Sequence, residues 1–195
     1  MIVEATRRSP LADYSDRFAP LSRASNGSLE VLEIPFLTQI NLRADPSEAS
    51  IMESVRQRLG IDLPVLPNTV ASAGDRSALW LGPDEWLIVA PPGQAAAIEQ
   101  STGKALAASG SVVDVSANRT TIRLEGSAAC ELLAFGCAID LHPLAFGPAR
   151  CAQTMLAKAQ VIIQQTEATP RFYLYVRASF ASYLADWLLD AADAL

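Results

Sequence analysis

Three stretches of this chain repeat one order: an apolar, strand-like run, a short turn and a helix-like run. The strand-like runs are rich in branched and aromatic residues, and the helix-like runs are rich in alanine and leucine. The stretches are EWLIVAPPGQAAAIEQSTGKAL (85–106), TTIRLEGSAACELLAF (120–135) and RFYLYVRASFASYLADWLLDA (171–191). Because the strands are expected to pair as hairpins, the pattern favours an α+β fold: antiparallel sheets with helices packed on one face, in an order that resembles split βαβ halves.

The chain divides into an N-terminal arm and one larger domain. Residues 1–28 are polar and rich in serine, arginine and proline, and their few apolar side chains follow no steady period. An extended N-terminal arm is therefore predicted. Residues 29–195 are predicted to form the α+β domain. Two prolines within 61–77 make that connection a candidate hinge between two subdomains.

The clearest helix signal follows Asp45. Asp45 is a natural N-cap, Pro46 suits the first helical position and Glu48 completes a capping box. Apolar residues then recur at helical spacing until Gly60, which is predicted to end the helix in a left-handed conformation.

The remaining apolar runs predict strands. Residues 29–43 indicate one strand that is bent or interrupted at Pro35. Residues 111–116 and 119–126 indicate two strands around a turn at 117–118, and the region after Pro148 indicates three strands of an antiparallel meander.

Charge and composition exclude several classes of partner. The formal net charge is -6, the pI is about 4.8 and no basic run offsets this, so nucleic acids and anionic membranes are not expected as partners. No signal peptide or membrane-spanning run is recognisable, and the cysteine count of 3 shows no framework spacing. A cytoplasmic protein with reduced thiols is predicted.

The segment GCAIDLHP (136–143) concentrates the residues with reactive side chains. Two kinds of site are conceivable here, a metal site or a nucleophile, formed by Cys137 and His142 with Asp140 and the later Cys151. Zinc sites usually pair ligands at spacings of two to four residues, which this set lacks for cysteine and histidine. The favoured interpretation is structural: Gly136 is a left-handed helix cap, Cys137 makes a small apolar contact and His142 begins a turn.

Other constellations are equally weak. A triad of Ser116, Asp114 and His142 has no supporting spacing. Asp84 and Glu85 are adjacent in a turn, so a concerted acid–base pair is not expected. No glycine-rich phosphate loop is present. No residue is therefore predicted to be catalytic, to bind a cofactor or to bind a metal, which is typical of a binding or assembly subunit.

Five stretches carry a resemblance to a known family. They are PFLTQINLR, LWLGPDEWLIV, VVDVSANRTTIRLEG, GCAIDLHPLAFGPARCAQTMLAKAQVI and FYLYVRASFASYLADWLLDA. In sequence and order they resemble the gamma subunit of heterotetrameric sarcosine oxidase, from about Ser9 to Ala192. That family is related in fold to the folate-binding domain of the glycine cleavage T-protein, so a similar fold is implied here.

The resemblance implies a non-catalytic gamma subunit that works with alpha, beta and delta subunits. Such a complex oxidatively demethylates sarcosine to glycine with O2 and tetrahydrofolate, giving H2O2 and methylene-tetrahydrofolate. The cofactors FAD, FMN and NAD are expected on the alpha and beta subunits, and none is expected on this chain.

The alternative is a freestanding folate-binding protein that resembles the T-protein. In the T-protein, a key aspartate precedes a segment similar to FYLYVRASF, and the matching position here falls near 160–161. Residues 152–166 contain no aspartate or glutamate. A carboxylate is needed there to act on the folate, so the resemblance implies that this site is absent.

Overall fold

The computed structural model describes residues 7–106, 109–167 and 170–195, with the backbone alone over 22–24. The described residues form ten strands and five α-helices. The strands are β1 (Glu30–Ile34), β2 (Thr38–Ala44), β3 (Val70–Ala73), β4 (Arg76–Gly82), β5 (Glu85–Ala90), β6 (Gly110–Asp114), β7 (Arg119–Glu125), β8 (Arg150–Leu156), β9 (Ala159–Glu167) and β10 (Arg171–Arg177). The helices are α1 (Ser15–Ala24), α2 (Ala49–Leu59), α3 (Ala95–Leu106), α4 (Ala129–Ala134) and α5 (Ala181–Ala192). No helix within these ranges is long and apolar enough to cross a membrane.

The strands form two five-stranded antiparallel sheets. The C-terminal sheet has the order β1-β7-β10-β9-β8, and the central sheet has the order β3-β4-β5-β2-β6. One core joins α1, α4 and α5 to the C-terminal sheet, and a second joins α2 and α3 to the central sheet. A third, smaller core lies between the two sheets. The molecule is thus a four-layer α/β/β/α arrangement, and the predicted α+β class, with helices on one face of each antiparallel sheet, is confirmed.

Strand β10 shows how the sequence builds these layers. Phe172, Leu174 and Val176 are buried against the helices, while Tyr173 and Tyr175 face the central sheet. Successive side chains of a strand point to opposite faces, so a strand buried on both sides reads as an unbroken apolar run. The predicted meander of β8, β9 and β10 is confirmed.

A bent two-stranded ribbon connects the sheets. The run 29–43 is interrupted at Pro35 as predicted, but β1 belongs to the C-terminal sheet and β2 to the central sheet. Phe36 at the crossing has a φ of 63°. The expectation that 111–116 and 119–126 pair around a turn is wrong, because β6 pairs with β2 and β7 pairs with β1 and β10. The two crossings lie side by side, and the Val115 N–H donates to the Gln39 carbonyl at 2.9 Å.

The start of α2 differs from the predicted capping box. The helix begins at Ala49 with Glu48 as N-cap, and that residue makes no side-chain capping bond. Asp45 instead accepts hydrogen bonds from the backbone N–H and hydroxyl of Ser47, which forms a local turn that competes with the helix. The C-cap is as predicted, since Gly60 is left-handed with a φ of 73°.

The N-terminal segment differs from the extended arm expected over 1–28. Residues Ser15–Ala24 form α1, and Leu11 and Phe18 are buried in the core of the C-terminal sheet. Residues 61–77, where a hinge is expected, begin and end in the central-sheet layer, since Ile61 and Leu63 enter its core and β3 pairs with β4. At the start of β3, the Val70 N–H donates to the Ala149 carbonyl beside β8 at 2.9 Å. The passages between the sheets are instead at 35–37 and 115–118.

Candidate functional site

The segment 136–143 begins with a glycine that is needed for space. Gly136 is not left-handed, so the predicted cap conformation is wrong. A Cβ at this position would lie 2.6 Å from Cζ2 of Trp187 and 3.1 Å from the backbone nitrogen of Ala157. Cys137 packs against the core of the C-terminal sheet, as predicted, and its N–H donates to the Leu133 carbonyl at 2.8 Å. The segment therefore closes α4 against α5 and the β8–β9 turn.

The residues of the hypothetical metal site lie in different places. Cys137 belongs to the helix side of the C-terminal sheet, whereas Cys151 is buried between the two sheets. His142 is exposed in a turn, where its Nδ1 accepts from the Leu144 N–H and its own N–H donates to Asp140. Over the described ranges, no group of three or more histidine, cysteine, aspartate or glutamate side chains is placed to hold a metal ion.

The cysteines are free and their surroundings disfavour the thiolate. Burial raises the pKa of Cys130 and Cys137, and it raises the pKa of Cys151 to about 12. The Cys151 thiol donates weakly to the carbonyls of Thr69 and Trp80 across the layer between the sheets. Since the thiolate is the reactive species, Cys151 behaves as a small core residue.

The other candidate groups have local structural roles. Ser116 hydrogen-bonds to Asp114 within one turn, and its hydroxyl also accepts from the Gln39 N–H at 2.9 Å. Glu85 accepts a hydrogen bond from Asn41, and the buried Trp86 donates to the Pro64 carbonyl at 2.7 Å. Among the described residues, Ser116 thus hydrogen-bonds to its own turn and to β2, whereas His142 hydrogen-bonds only within its own turn, so no hydrogen bond joins the two side chains.

A pocket of about 280 Å³ opens at one end of the layer between the sheets. We call it the arginine pocket, after the two arginines that line it. Its main lining residues are Arg119, Gln153, Gln160, Ile162, Tyr175 and Arg177. Ile162 and Tyr175 form its floor, since both belong to the core between the sheets. The amide of Gln153 donates to the Leu81 carbonyl at 2.9 Å and so joins the pocket wall to the central sheet.

Arg119 and Arg177 face each other across the β7–β10 pair. Their Cα atoms are direct partners in the ladder, so both side chains lie on the face toward the central sheet. Within the part of the chain that the structure describes, neither guanidinium makes an ion pair or a hydrogen bond. Burial, and then the charge of Arg177, lower the pKa of Arg119, while Glu85 acts in the opposite direction.

The opposite end of the same two strands is neutralised. Arg123 lies 2.7 Å from Glu30, and Arg171 lies 2.7 Å from Glu125 and also pairs with Glu167. Like charges that face each other across a ladder are destabilising, and in the described ladder only the pocket end has such a pair, because at the other end Arg171 faces Glu125. The arginine pocket is therefore a positive site in a chain whose net charge is -6.

Three exposed apolar side chains lie on the pocket lining or on the segment that follows β10. Met155 lines the pocket and is 40% exposed, while Phe180 and Tyr183, which follow Arg177 closely, are 43% and 38% exposed. The two rings form an edge-to-face pair with centroids 6.3 Å apart. We call Met155, Phe180 and Tyr183 the apolar rim. Aromatic residues, methionine and arginine are the side chains enriched at protein–protein interfaces, so pocket and rim together have the composition of a docking face.

No sequence pattern indicates this face. Arg119 and Arg177 are far apart along the chain, and only the register of β7 against β10 makes them partners. The nearest sequence signal was the position near 160–161, and Gln160 does line the pocket. The side chain of Gln160 is a neutral amide, and neither it nor the two arginines belongs to a carboxylate or metal-ligand pattern.

Comparisons with known proteins agree on one family. Residues 43–194 match the family described as "Sarcosine oxidase, gamma subunit family". A protein from Arthrobacter sp named "Sarcosine oxidase subunit gamma" is 38% identical over 197 residues, with coverage of 97% of this chain and 93% of the relative. A protein of the same name from Corynebacterium sp. (strain P-1) is 37% identical over 195 residues, with coverage of 97% and 93%.

Two solved structures are similar over nearly the whole chain. One is in the heterotetrameric sarcosine oxidase from Corynebacterium sp. U-96 in complex with pyrrole 2-carboxylate, with a TM-score of 0.88, 34% identity and coverage of 96% of this chain and 95% of that chain. The other is the glycine cleavage system aminomethyltransferase T from Bartonella henselae, with a TM-score of 0.68, 14% identity and coverage of 95% and 57%. At that identity the second likeness concerns the fold alone, and it confirms the predicted T-protein-like fold.

Proposed function

The chain belongs to the sarcosine oxidase gamma subunit family, and on this premise we propose that it is the non-catalytic gamma subunit of a heterotetrameric sarcosine oxidase. The observation that carries the proposal is the likeness to a chain of such a complex, at a TM-score of 0.88 over 96% of this chain. The docking face of arginine pocket and apolar rim supports it, because a subunit that works by association needs a surface of this composition.

The complex is proposed to be an oxidoreductase made with alpha, beta and delta subunits in the cytoplasm. It oxidatively demethylates sarcosine to glycine with O2 and tetrahydrofolate, giving H2O2 and methylene-tetrahydrofolate. FAD, FMN and NAD are assigned to the alpha and beta subunits. The free state of all 3 cysteines supports a reducing compartment.

The chain's own contribution is proposed to be structural. Its reactive side chains support this, because each one described above hydrogen-bonds to its own turn or to a neighbouring strand, or packs in or against a core. The thiol of Cys151 is one such group, and its raised pKa makes it a poor nucleophile. Cys137→Ser, His142→Ala and Cys151→Ser variants of the chain should therefore leave turnover of the assembled enzyme within a few-fold of wild type.

Co-expression tests the proposal directly. The chain, carrying an affinity tag, is produced with the alpha, beta and delta subunits of its own source, and the purified material is analysed for subunit content, flavin absorbance and sarcosine-dependent H2O2 formation. A flavin-containing complex that holds the chain in stoichiometric amount supports the proposal. A colourless, partnerless chain that binds tetrahydrofolate tightly would overturn it in favour of the freestanding folate-binding alternative. Loss of turnover in the His142→Ala or cysteine variants, with assembly intact, would overturn the non-catalytic role.

A further inference from the structure

The arginine pocket holds an uncompensated pair of positive charges. Arg119 and Arg177 are cross-strand neighbours, and directly opposed side chains of a ladder have Cβ atoms about 4.5–5.5 Å apart. Four glutamate–arginine contacts at the other end of these strands show that the same backbone accommodates neutralising acids. At the pocket end, the described residues provide only Glu85, which acts on Arg119 from a distance too long for an ion pair.

The remaining lining of the pocket fits an anion. Gln160 is exposed and makes no hydrogen bond within the described residues, so its amide is a free donor beside the arginines. Guanidinium groups bind carboxylates through two parallel N–H···O bonds, and such charge-assisted bonds are about twice as strong as neutral ones. A carboxylate between Arg119 and Arg177 would replace repulsion with two attractive contacts.

The size and border of the pocket indicate where that carboxylate comes from. About 280 Å³ is at or below the lower limit of ordinary small-molecule sites, which span roughly 300–1,000 Å³. It is sufficient for one side chain. Met155 of the apolar rim lines the pocket and is 40% exposed, and an exposed apolar side chain at this place suits a protein surface that covers the charge contact.

We propose that the arginine pocket receives the carboxylate of an aspartate or glutamate side chain from another subunit of the complex. The contact is a charge anchor within a docking surface that includes the exposed Met155 of the apolar rim. This inference rests on the proposed function, since it requires that the chain assembles with partner subunits.

Competitive assembly measures the contact. Wild-type chain and a variant of distinguishable mass are co-expressed with the partner subunits, and their ratio in the purified complex is read by intact mass spectrometry and divided by their ratio in the soluble lysate. Arg177→Gln should enter the complex at least tenfold less than wild type, and Arg177→Glu less still. The control Arg58→Glu makes the same charge change at an exposed site on α2 and should be incorporated equally.

Misfolding is distinguished from loss of docking by the direction of the stability change. Because Arg119 and Arg177 repel each other, Arg177→Glu should leave the thermal unfolding temperature of the full chain unchanged or raised. Equal incorporation of Arg177→Glu and wild type would overturn the inference. So would a lowered unfolding temperature that accounts for the lost incorporation, because the arginines would then be structural.

A cross-link identifies the source of the carboxylate. In the complex with Arg177→Lys, a water-soluble carbodiimide joins the new amine to a carboxylate in contact with it, and peptide mass spectrometry maps the product. A link to an acidic residue of another subunit supports the inference. A link within the chain, for example to Glu85, or no link at position 177 would overturn it. If the wild-type chain fails to enter any complex, the proposed function fails. If the wild-type chain assembles and the Arg177 variants are incorporated equally well, only the pocket inference fails.

Discussion

The absence of a side chain at Gly136 allows the end of α4 to pack against Trp187 of α5. The backbone of Gly136 has no unusual φ, so the glycine is required by the ring that lies against it and not by its conformation. The contact places the end of α4 on α5 and on the turn after β8.

Gly136→Ala should destabilise the chain by about 1–3 kcal/mol, because its Cβ would lie 2.6 Å from a ring carbon of Trp187. Urea denaturation measures the change. Gly103→Ala is the matched control: it lies inside α3 with open space around its Cβ, and should stabilise by about 0.5–1 kcal/mol. Adding Trp187→Phe should recover part of the loss, and strict additivity of the two substitutions would contradict the steric cause.

Cys151 makes stability depend on pH in the alkaline range. Its folded pKa is about 12, whereas an unfolded cysteine titrates near 8.5. Between these values the unfolded state has released a proton that the folded state retains, so stability falls as pH rises. The thiol should cost roughly 2 kcal/mol of unfolding free energy between about pH 8 and about pH 10. Cys151→Ser lacks this titration, and the difference between the two denaturation series isolates it; parallel series would contradict the assignment.

At the scale of elements, α1 shows that a segment without a regular apolar pattern can still be held in place by a few large buried side chains. Pro20 lies inside the helix and removes one backbone donor, and the apolar residues have no helical period, so the sequence pattern indicated an arm. Leu11 and Phe18 are nonetheless almost fully buried, at 1% and 3% exposure.

Phe18→Ala should cost about 3 kcal/mol or more, because it removes a buried ring from the core of the C-terminal sheet. Limited proteolysis should then cut within 7–28 at low protease concentration, whereas wild type resists. The neighbouring Ala19→Ser is exposed and should stay within about 0.5 kcal/mol of wild type. Equal protease resistance of Phe18→Ala and wild type would show that the segment does not depend on this anchor.

The elements that sequence reasoning identified are those whose signal is local. The end of α2 was predictable because it depends on one residue, the left-handed Gly60. The β8–β10 meander was predictable because its apolar runs are consecutive in the sequence. Strand pairing is non-local, and no residue pattern near 111–126 indicates that β6 and β7 lie in different sheets. The arginine pocket depends on that same long-range register, so it was not predictable from the sequence.

At the scale of the whole molecule, the chain combines an acidic, ordinary surface with one face suited to association. Its fold was predictable from the repeated strand–turn–helix order and from family resemblance. The sequence predicted a binding or assembly subunit, but not which surface would take part in association. The isolated chain is expected to be prone to aggregation, because the apolar rim is then exposed to water.

The double variant Phe180→Ser/Tyr183→Ser should have opposite effects on the free and the assembled chain. The free chain should remain monomeric at higher concentration in size-exclusion chromatography, while its incorporation into the complex should fall several-fold. Leu66→Ser removes a 68% exposed apolar side chain remote in sequence from the rim and should leave incorporation unchanged. Increased aggregation of the double variant, or undiminished incorporation, would remove the rim from the docking face.

The bent ribbon gives the molecule a mechanical property that its layer count does not convey. β1 pairs with β7 and β2 pairs with β6, both antiparallel. The two connecting segments, 35–37 and 115–118, therefore cross from one sheet to the other side by side. Together with the core between the sheets, this double connection restricts rotation of one sheet against the other. The position of one sheet is therefore coupled to the position of the other through two backbone connections and through the side chains packed between them.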